Sequence, residues 1–82
     1  PETIAAASVR FERLDQAVEA VMAIMQCQIP MARIELLDAL QMQACIAWSR
    51  LEGFAPVPTL FLEFHGSPAT VAEQVAEVRA LC

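Results

Sequence analysis

A carboxylate and an imidazole stand two residues apart near the end of this chain, in the stretch TLFLEFHGSPAT at 59–70. They belong to Glu63 and to His65, the only histidine of the sequence. Because side chains two apart on a β-strand point to the same side, the pair could form half of an acid–base site. The same pair is also typical of the solvated face of an ordinary sheet, and the residue types leave both alternatives open.

Further polar side chains fall on the same predicted face. Alternation along three predicted strands places seven polar residues there: Ser8, Arg10, Glu12, Arg33, Glu35, Glu63 and His65. In one interpretation they form the wall of an active site or an interface with another domain. In the other they are solvated cross-strand charge pairs, each contributing about 0.2–1 kcal/mol.

Other kinds of site find little support in the sequence. A metal site needs three or four converging ligands, and one histidine with Cys27, Cys45 and Cys82 gives no such spacing. Ser67 lies near His65, but its position before a proline is better explained as a helix cap than as a nucleophile. No GxGxxG or Walker-type phosphate loop occurs. We therefore predict that this chain alone holds neither a metal nor a nucleotide cofactor.

Composition limits the class of protein. The 82 residues suffice for one small domain, yet 57% are hydrophobic and 18% charged, which predicts apolar surface for another domain, a second copy or a missing part of the fold. A net charge of −5 without any lysine argues against nucleic acid, and polar interruptions argue against a membrane span. Unpaired cysteines favour a reducing intracellular compartment, either the bacterial cytoplasm or the mitochondrion.

The hydrophobic periodicity predicts six elements in the order βαβαβα. Strands are predicted where apolar and polar residues alternate, at 4–12, 31–38 and 59–65. Helices are predicted from Leu14 to the stop at Pro30, over about 39–50, and from Pro68 to the end of the chain. Asp38 with Gln41 forms a capping-box pattern, and Ser67 is the predicted cap of the last helix.

This order predicts an α+β fold: a βαβαβα fragment of a ferredoxin-like antiparallel sheet, with helices packed on one face and an extra helix before the third strand. In that fold a fourth strand follows the last helix, and the sequence stops before it. The chain begins at Pro1 rather than at methionine, so we expect residues 1–82 to be a single partial domain excised from a longer protein. An unpaired sheet edge also predicts a homodimer of the fragment.

Three passages together resemble a known family: VRFERLDQAVEAV, IPMARIELLD and TLFLEFHGSPATVAEQ. With LQMQAC between them, their order and spacing are similar to the C-terminal domain of FAD-linked oxidases of the vanillyl-alcohol-oxidase type. Within that family they resemble the branch of D-lactate dehydrogenase (cytochrome) and the glycolate oxidase subunit. The similarity covers nearly the whole chain, although no single passage is a catalytic signature.

The resemblance implies that the chain is the first part of a cap domain over flavin and substrate. The parent enzyme is expected to oxidise a small D-2-hydroxy acid, of the D-lactate or glycolate type, with FAD held by an FAD-binding domain of the same chain. The branch's histidine motif, HxGDGNxH, and a later metal-holding glutamate do not occur in this sequence. A divalent metal is therefore expected only in the parent, and His65 receives no ligand role.

Two functions from different classes follow. In the first, the chain is inactive alone and binds no FAD, while Arg33, Glu35, Glu63 and His65 line or support the cap face toward the active site. In the alternative, the chain is a free-standing ferredoxin-like module that binds a small molecule or dimerises through its edge strand. A flavin-binding domain upstream in the reading frame favours the first, whereas a native stop codon after Cys82 favours the second.

Overall fold

The computed structural model describes residues 2–82, which form six elements in the predicted order. The strands are β1 (Thr3–Arg10), β2 (Arg33–Leu37) and β3 (Thr59–Gly66). The helices are α1 (Leu14–Gln26), α2 (Ala39–Ser49) and α3 (Pro68–Leu81). The first two strands are shorter than their alternating patterns suggested, and α3 ends one residue before the last.

The sheet has the strand order β1-β3-β2, with β3 antiparallel to both neighbours. Helix α1 connects β1 to β2 across the inserted β3, which is the split βαβ arrangement of ferredoxin-like folds. The predicted α+β class with an antiparallel sheet is thereby confirmed.

One face of the sheet carries the hydrophobic core. Leu60, Leu62 and Phe64 of β3 are buried on it, because alternate residues of a strand share a side. The core cluster also includes Ile24 of α1 and two valines of α3, Val71 and Val78. Helices α1 and α3 therefore cover this face, as the predicted packing on one face requires.

Helix α2 lies beside β2 and reaches the other side of the sheet. It contacts β2, and its Cys45 lines a cavity with residues of the opposite sheet face. Met42 is fully buried, whereas Leu40 and Trp48 are exposed. Helix α2 is apolar on nearly all sides, and the structure leaves part of that apolar surface uncovered.

Both predicted helix caps are present. The Gln41 amide donates to Asp38 Oδ1 at 2.7 Å, and the Asp38 amide donates to Gln41 Oε1 at 2.8 Å. The Thr70 amide donates to Ser67 Oγ at 3.2 Å, and Pro68 occupies the start of α3, where a missing N–H breaks no helical bond. These caps fix where α2 and α3 begin relative to the ends of β2 and β3.

Candidate functional site

The face of the sheet opposite the core, which we call the second face, is defined by the strand register. Its residues are Ile4, Ala6, Ser8 and Arg10 of β1, Arg33, Glu35 and Leu37 of β2, and Thr59, Phe61, Glu63 and His65 of β3. Glu63 lies at the centre, between Ala6 on one side and Arg33 on the other. The second face is thus largely polar along β2 and at the far end of β3.

Glu63 and His65 are in direct contact on the second face. His65 Nε2 lies 2.7 Å from Glu63 Oε1, and because a carboxylate can only accept, the imidazole N–H donates. On the other side of the ring, Nδ1 lies 3.7 Å from Glu2 Oε1. The imidazole is therefore placed between two carboxylates at one end of the sheet.

This pair lacks the third group that nucleophilic catalysis needs. The nearby hydroxyl in the sequence, Ser67 Oγ, accepts the Thr70 amide and donates to Thr70 Oγ1 at 2.8 Å, so it is occupied by the helix cap. The His65 and Glu63 side chains are 37% and 35% exposed. At that exposure water screens their attraction, which contributes about 0–1 kcal/mol. The pair can bind or orient a polar group.

Arg33 and Glu35 form a second, weaker pair. Arg33 Nη2 lies 3.8 Å from Glu35 Oε2, and the two side chains are 69% and 51% exposed. The register places Arg33 directly opposite Glu63, yet its guanidinium is oriented toward the carboxylate of its own strand. Because an exposed pair of this length contributes little to stability, both charges can engage another molecule at small cost.

Three of the four predicted site residues line one open cavity of about 510 Å³ on the second face: Arg33, Glu35 and Glu63. Its apolar wall comes from Phe61 together with Cys45, Leu51 and Phe54 of α2 and the following loop. The rings of Phe54 and Phe61 lie 5.8 Å apart. His65 is not part of this wall and lies farther along β3.

The apolar wall was not predicted from the sequence. In the stretch LEGFAPVP after α2, Gly53, Pro56 and Pro58 prevent a regular element, so the sequence predicts only a connection there. The feature of the sequence that could have indicated this wall is the presence of two large apolar side chains, Leu51 and Phe54, in an otherwise loop-like stretch. Such residues in a connection indicate that it packs against a neighbouring surface.

The remaining polar residues of the predicted face are divided between two places. Ser8 lines the cavity of the second face, whereas Arg10 and Glu12 line a separate groove between the start of α1 and the end of α3. The prediction that Glu12 lies on the polar face of the first strand is wrong, since β1 ends at Arg10. The Phe11 amide, just beyond the end of β1, donates to the Pro58 carbonyl at 2.9 Å. The chain leaves the sheet after this residue and enters α1 at Leu14.

Some kinds of site are absent from the described part of the chain. Within residues 2–82, no three His, Cys, Asp or Glu side chains converge to hold a metal ion. Over the same residues, no helix combines the length and apolar character required to cross a bilayer. The three cysteines have free thiols, and burial raises the pKa of the Cys82 thiol, which makes it a poorer nucleophile.

Large apolar side chains are exposed on two helices. On α1 they form a stripe at helical spacing: Leu14, Val18, Met22 and Met25. On α2, Leu40 is exposed and Trp48, the only tryptophan, is 91% exposed. Tryptophan is enriched at the centres of protein interfaces, so these positions mark surfaces suited to contact with another domain.

The whole sequence, residues 1–82, matches the family described as FAD linked oxidases, C-terminal domain. The chain therefore belongs to this family, and the predicted resemblance is confirmed. It is also similar to a curated protein, the probable mitochondrial D-lactate dehydrogenase of Danio rerio, with 42% identity over 76 residues. The matched region covers 93% of this chain and 15% of that relative, so the chain spans only a small part of the relative's length.

Proposed function

We propose that residues 1–82 form the first part of the cap domain of a flavin-dependent dehydrogenase that oxidises a D-2-hydroxy acid of the D-lactate or glycolate type. Membership of the FAD-linked oxidase family supports the flavin, and the name of the relative supports D-lactate. The observation that carries the cap role is the second face. Helices α1 and α3 cover the core face, whereas the second face presents an open cavity with charged residues at its wall.

The role of the chain's own residues in this proposal is to line or support the cap over the active site. Arg33 is the one cationic side chain that lines the cavity, and a guanidinium binds carboxylates well. Glu35 and Glu63 add acceptors beside it, while His65 holds the end of β3 through its contact with Glu63. The aromatic wall of Phe54 and Phe61 reduces the access of water to that side.

The residues of this chain do not fit a flavin site of their own. The sequence has no glycine-rich phosphate loop, and the cavity wall combines one arginine with two glutamates, which suits a pyrophosphate poorly. In the proposal an FAD-binding domain of the same polypeptide holds FAD, which supplies the acceptor for the hydride of the substrate. A divalent metal likewise belongs to the parent and not to this segment.

Other features support the proposal that this segment is part of a larger, mitochondrial flavin enzyme. The exposed apolar stripe of α1 and the exposed Trp48 of α2 supply surface for the FAD-binding domain. The name of the relative includes the mitochondrion, which supports the mitochondrial form of the predicted intracellular location over the bacterial cytoplasm. The free-standing module remains the rival function, and the family match with a much longer relative weighs against it.

We expect the 82-residue chain to purify without flavin and to leave D-lactate and glycolate unoxidised, because it lacks a phosphate-binding loop. The measurement is the visible absorbance spectrum, followed by a dye-reduction assay with added FAD. The full-length polypeptide is the positive control and is expected to bind FAD. A flavin spectrum that co-purifies with the 82 residues alone would contradict the proposal.

In the full-length enzyme, Glu63→Ala is expected to lower kcat/KM about fivefold, which corresponds to loss of one partly exposed polar contact near the substrate. Thermal stability should stay close to that of the wild type, because at about one-third exposure water screens the attraction between Glu63 and His65. The matched control is Glu77→Ala, which removes an exposed carboxylate from α3, away from the second face. If neither kinetics nor stability changes in Glu63→Ala, the residue belongs to a solvated surface.

A further inference from the structure

A row of groups that can exchange protons leads from the cavity of the second face to the surface of the molecule. Glu63 lines the cavity, and its Oε1 lies 2.7 Å from His65 Nε2. The other ring nitrogen of His65, Nδ1, lies 3.7 Å from Oε1 of Glu2, whose side chain is 64% exposed. His65 lies outside the cavity wall and is partly exposed. These side chains therefore connect the cavity wall with solvent.

The residue types in this row suit proton transfer. An imidazole can accept a proton at one ring nitrogen while it releases a proton from the other. The 2.7 Å contact between Glu63 and His65 has the length of a hydrogen bond, so a proton can move between them without rearrangement. At 3.7 Å, Nδ1 and Glu2 are not hydrogen-bonded. A proton released from Nδ1 therefore goes to solvent, and the Glu2 carboxylate stabilises the imidazolium beside it.

The other carboxylate of the cavity wall has a different neighbour. Glu35 Oε2 lies 3.8 Å from Arg33 Nη2, and a guanidinium stays protonated in proteins, so it cannot accept a proton. Glu35 is also more exposed than Glu63, with 51% of its side chain accessible against 35%. Of the two glutamates that line the cavity, Glu63 is therefore the one whose neighbour can accept a proton and pass it on.

The proposed reaction produces a proton that has to leave the site. Oxidation of a 2-hydroxy acid to a 2-oxo acid breaks a C–H bond and the hydroxyl O–H bond, and it forms a C=O bond. The C–H hydrogen leaves with its electron pair as a hydride, for which FAD is the acceptor in the proposed function. The hydroxyl hydrogen leaves as a proton. Because a covered site excludes water, protein groups have to carry this proton out.

We propose that Glu63 and His65 form a proton relay, which carries the hydroxyl proton of the 2-hydroxy acid from the cavity to the solvent beside Glu2. The inference rests on the proposed function, because that function supplies the proton. Glu63 is the member of the relay at the cavity, and His65 acts through Glu63 rather than on the substrate.

The transfer conserves protons and charge. The hydroxyl proton first passes to the Glu63 carboxylate. The Glu63 carboxyl then donates it to Nε2 of His65, while the proton on Nδ1 passes to solvent. This leaves an ionised Glu63 that accepts from the N–H on Nε2, which matches the 2.7 Å contact in the structure. Because the ring is partly exposed, proton exchange with water returns the proton to Nδ1 without any net change in charge.

The first test compares His65→Gln and His65→Ala with the wild type in the full-length, FAD-loaded enzyme at low buffer concentration. Both variants are expected to lower kcat about fivefold with KM nearly unchanged, because solvent replaces a positioned acid–base group only in part. Glutamine keeps an N–H that can donate to Glu63, so it preserves a structural contact but cannot carry a proton. A wild-type kcat in His65→Gln would overturn the proposal.

Added imidazole provides a readout that a structural role would not change. We expect it to restore most of the kcat of His65→Ala, because the free base can take the proton from Glu63 at the emptied position, and to leave the wild type unchanged. Pyrazole, a ring of the same size and a much weaker base, should not restore it. Failure of imidazole, or equal effects of the two rings, would overturn the relay. Flavin absorbance and melting temperature establish that each variant is loaded and folded.

A measurement without turnover tests the contact between the two relay residues. His65 is the only histidine of the 82-residue chain, so nitrogen NMR of the isotopically labelled chain shows one pair of ring resonances. Glu63→Gln is expected to shift the Nε2 resonance, because it replaces the carboxylate that accepts from Nε2. Glu77→Gln, which changes an exposed carboxylate on α3, is the matched control and should not shift it. An Nε2 resonance that ignores Glu63→Gln would overturn the relay.

The relay and the proposed function fail in different ways. A full-length wild type that binds FAD but oxidises neither D-lactate nor glycolate would refute the proposed function and the relay with it. An active wild type whose kcat does not depend on His65 would refute the relay alone.

Discussion

Replacing Phe64 with alanine is expected to lower the free energy of unfolding of the 82-residue chain by about 3–5 kcal/mol. Phe64 is fully buried and belongs to the core cluster that joins β3 to α1 and α3. Truncation removes its apolar contacts and leaves a cavity that the surrounding sheet and helices can fill only in part. Because domains have stabilities of about 5–15 kcal/mol, and small ones lie at the lower end, a large fraction of Phe64→Ala should be unfolded.

The matched control is Phe61→Ala, in the same strand but on the second face. Phe61 is partly exposed and packs on Phe54, with ring centroids 5.8 Å apart. Its loss should cost about 1–2 kcal/mol, from one aromatic pair and limited burial. Urea denaturation followed by circular dichroism measures both variants. Equal losses for the two phenylalanines would contradict the assignment of β3's faces.

The division of β3 into two faces was predictable from the second half of the strand. Leu60, Leu62 and Phe64 are large and apolar, whereas Glu63 and His65 on the other side are polar, so the side of the leucines is the one that the core buries. Phe61 interrupts the polar side and belongs to the apolar wall of the second face. The order of elements then limited the topology to few arrangements. The fold could therefore be predicted in class and strand direction from local patterns and connection rules.

The composition of the cavity on the second face could not be predicted in the same way. Its apolar wall depends on where α2 and the loop carrying Phe54 lie relative to β3, and this placement results from long-range packing. The ion-pair partner of Arg33 could not be predicted either. The register places Glu63 directly opposite Arg33, whereas the Arg33 guanidinium lies 3.8 Å from the Glu35 carboxylate. Periodicity determines which side a residue faces, but not which neighbour its side chain contacts.

Helix α3 is a second case in which the sequence pattern does not predict which side chains are buried in the core. Residue type alone favours Val71, Val75 and Val78 as the buried seam of this helix, yet Gln74 is 7% exposed and more deeply buried than the half-buried Val75. Position 74 is three residues after Val71 and four before Val78, so helical geometry alone places it on the buried side. Because glutamine is polar, a hydrophobic pattern does not predict this burial.

Replacing Gln74 with leucine is expected to raise the free energy of unfolding of the 82-residue chain by about 1–3 kcal/mol. Gln74 Oε1 is buried and has no hydrogen-bond partner among the described residues, so folding removes it from water without compensation. Leucine has a similar size and no polar atom to desolvate. Urea denaturation measures the change, and a loss of stability in Gln74→Leu would contradict this account.

Gln74→Glu is the near-isosteric control for polarity. Burial raises the folded-state pKa of such a carboxyl above its unfolded value, so the variant should be destabilised at neutral pH and recover as the pH falls and the group is protonated. The full-length protein adds a second comparison. If Gln74→Leu stabilises the 82-residue chain but destabilises the full-length protein, Gln74 Oε1 accepts a hydrogen bond from a part of the polypeptide outside these residues. The buried amide would then be a contact between the cap segment and the rest of its enzyme.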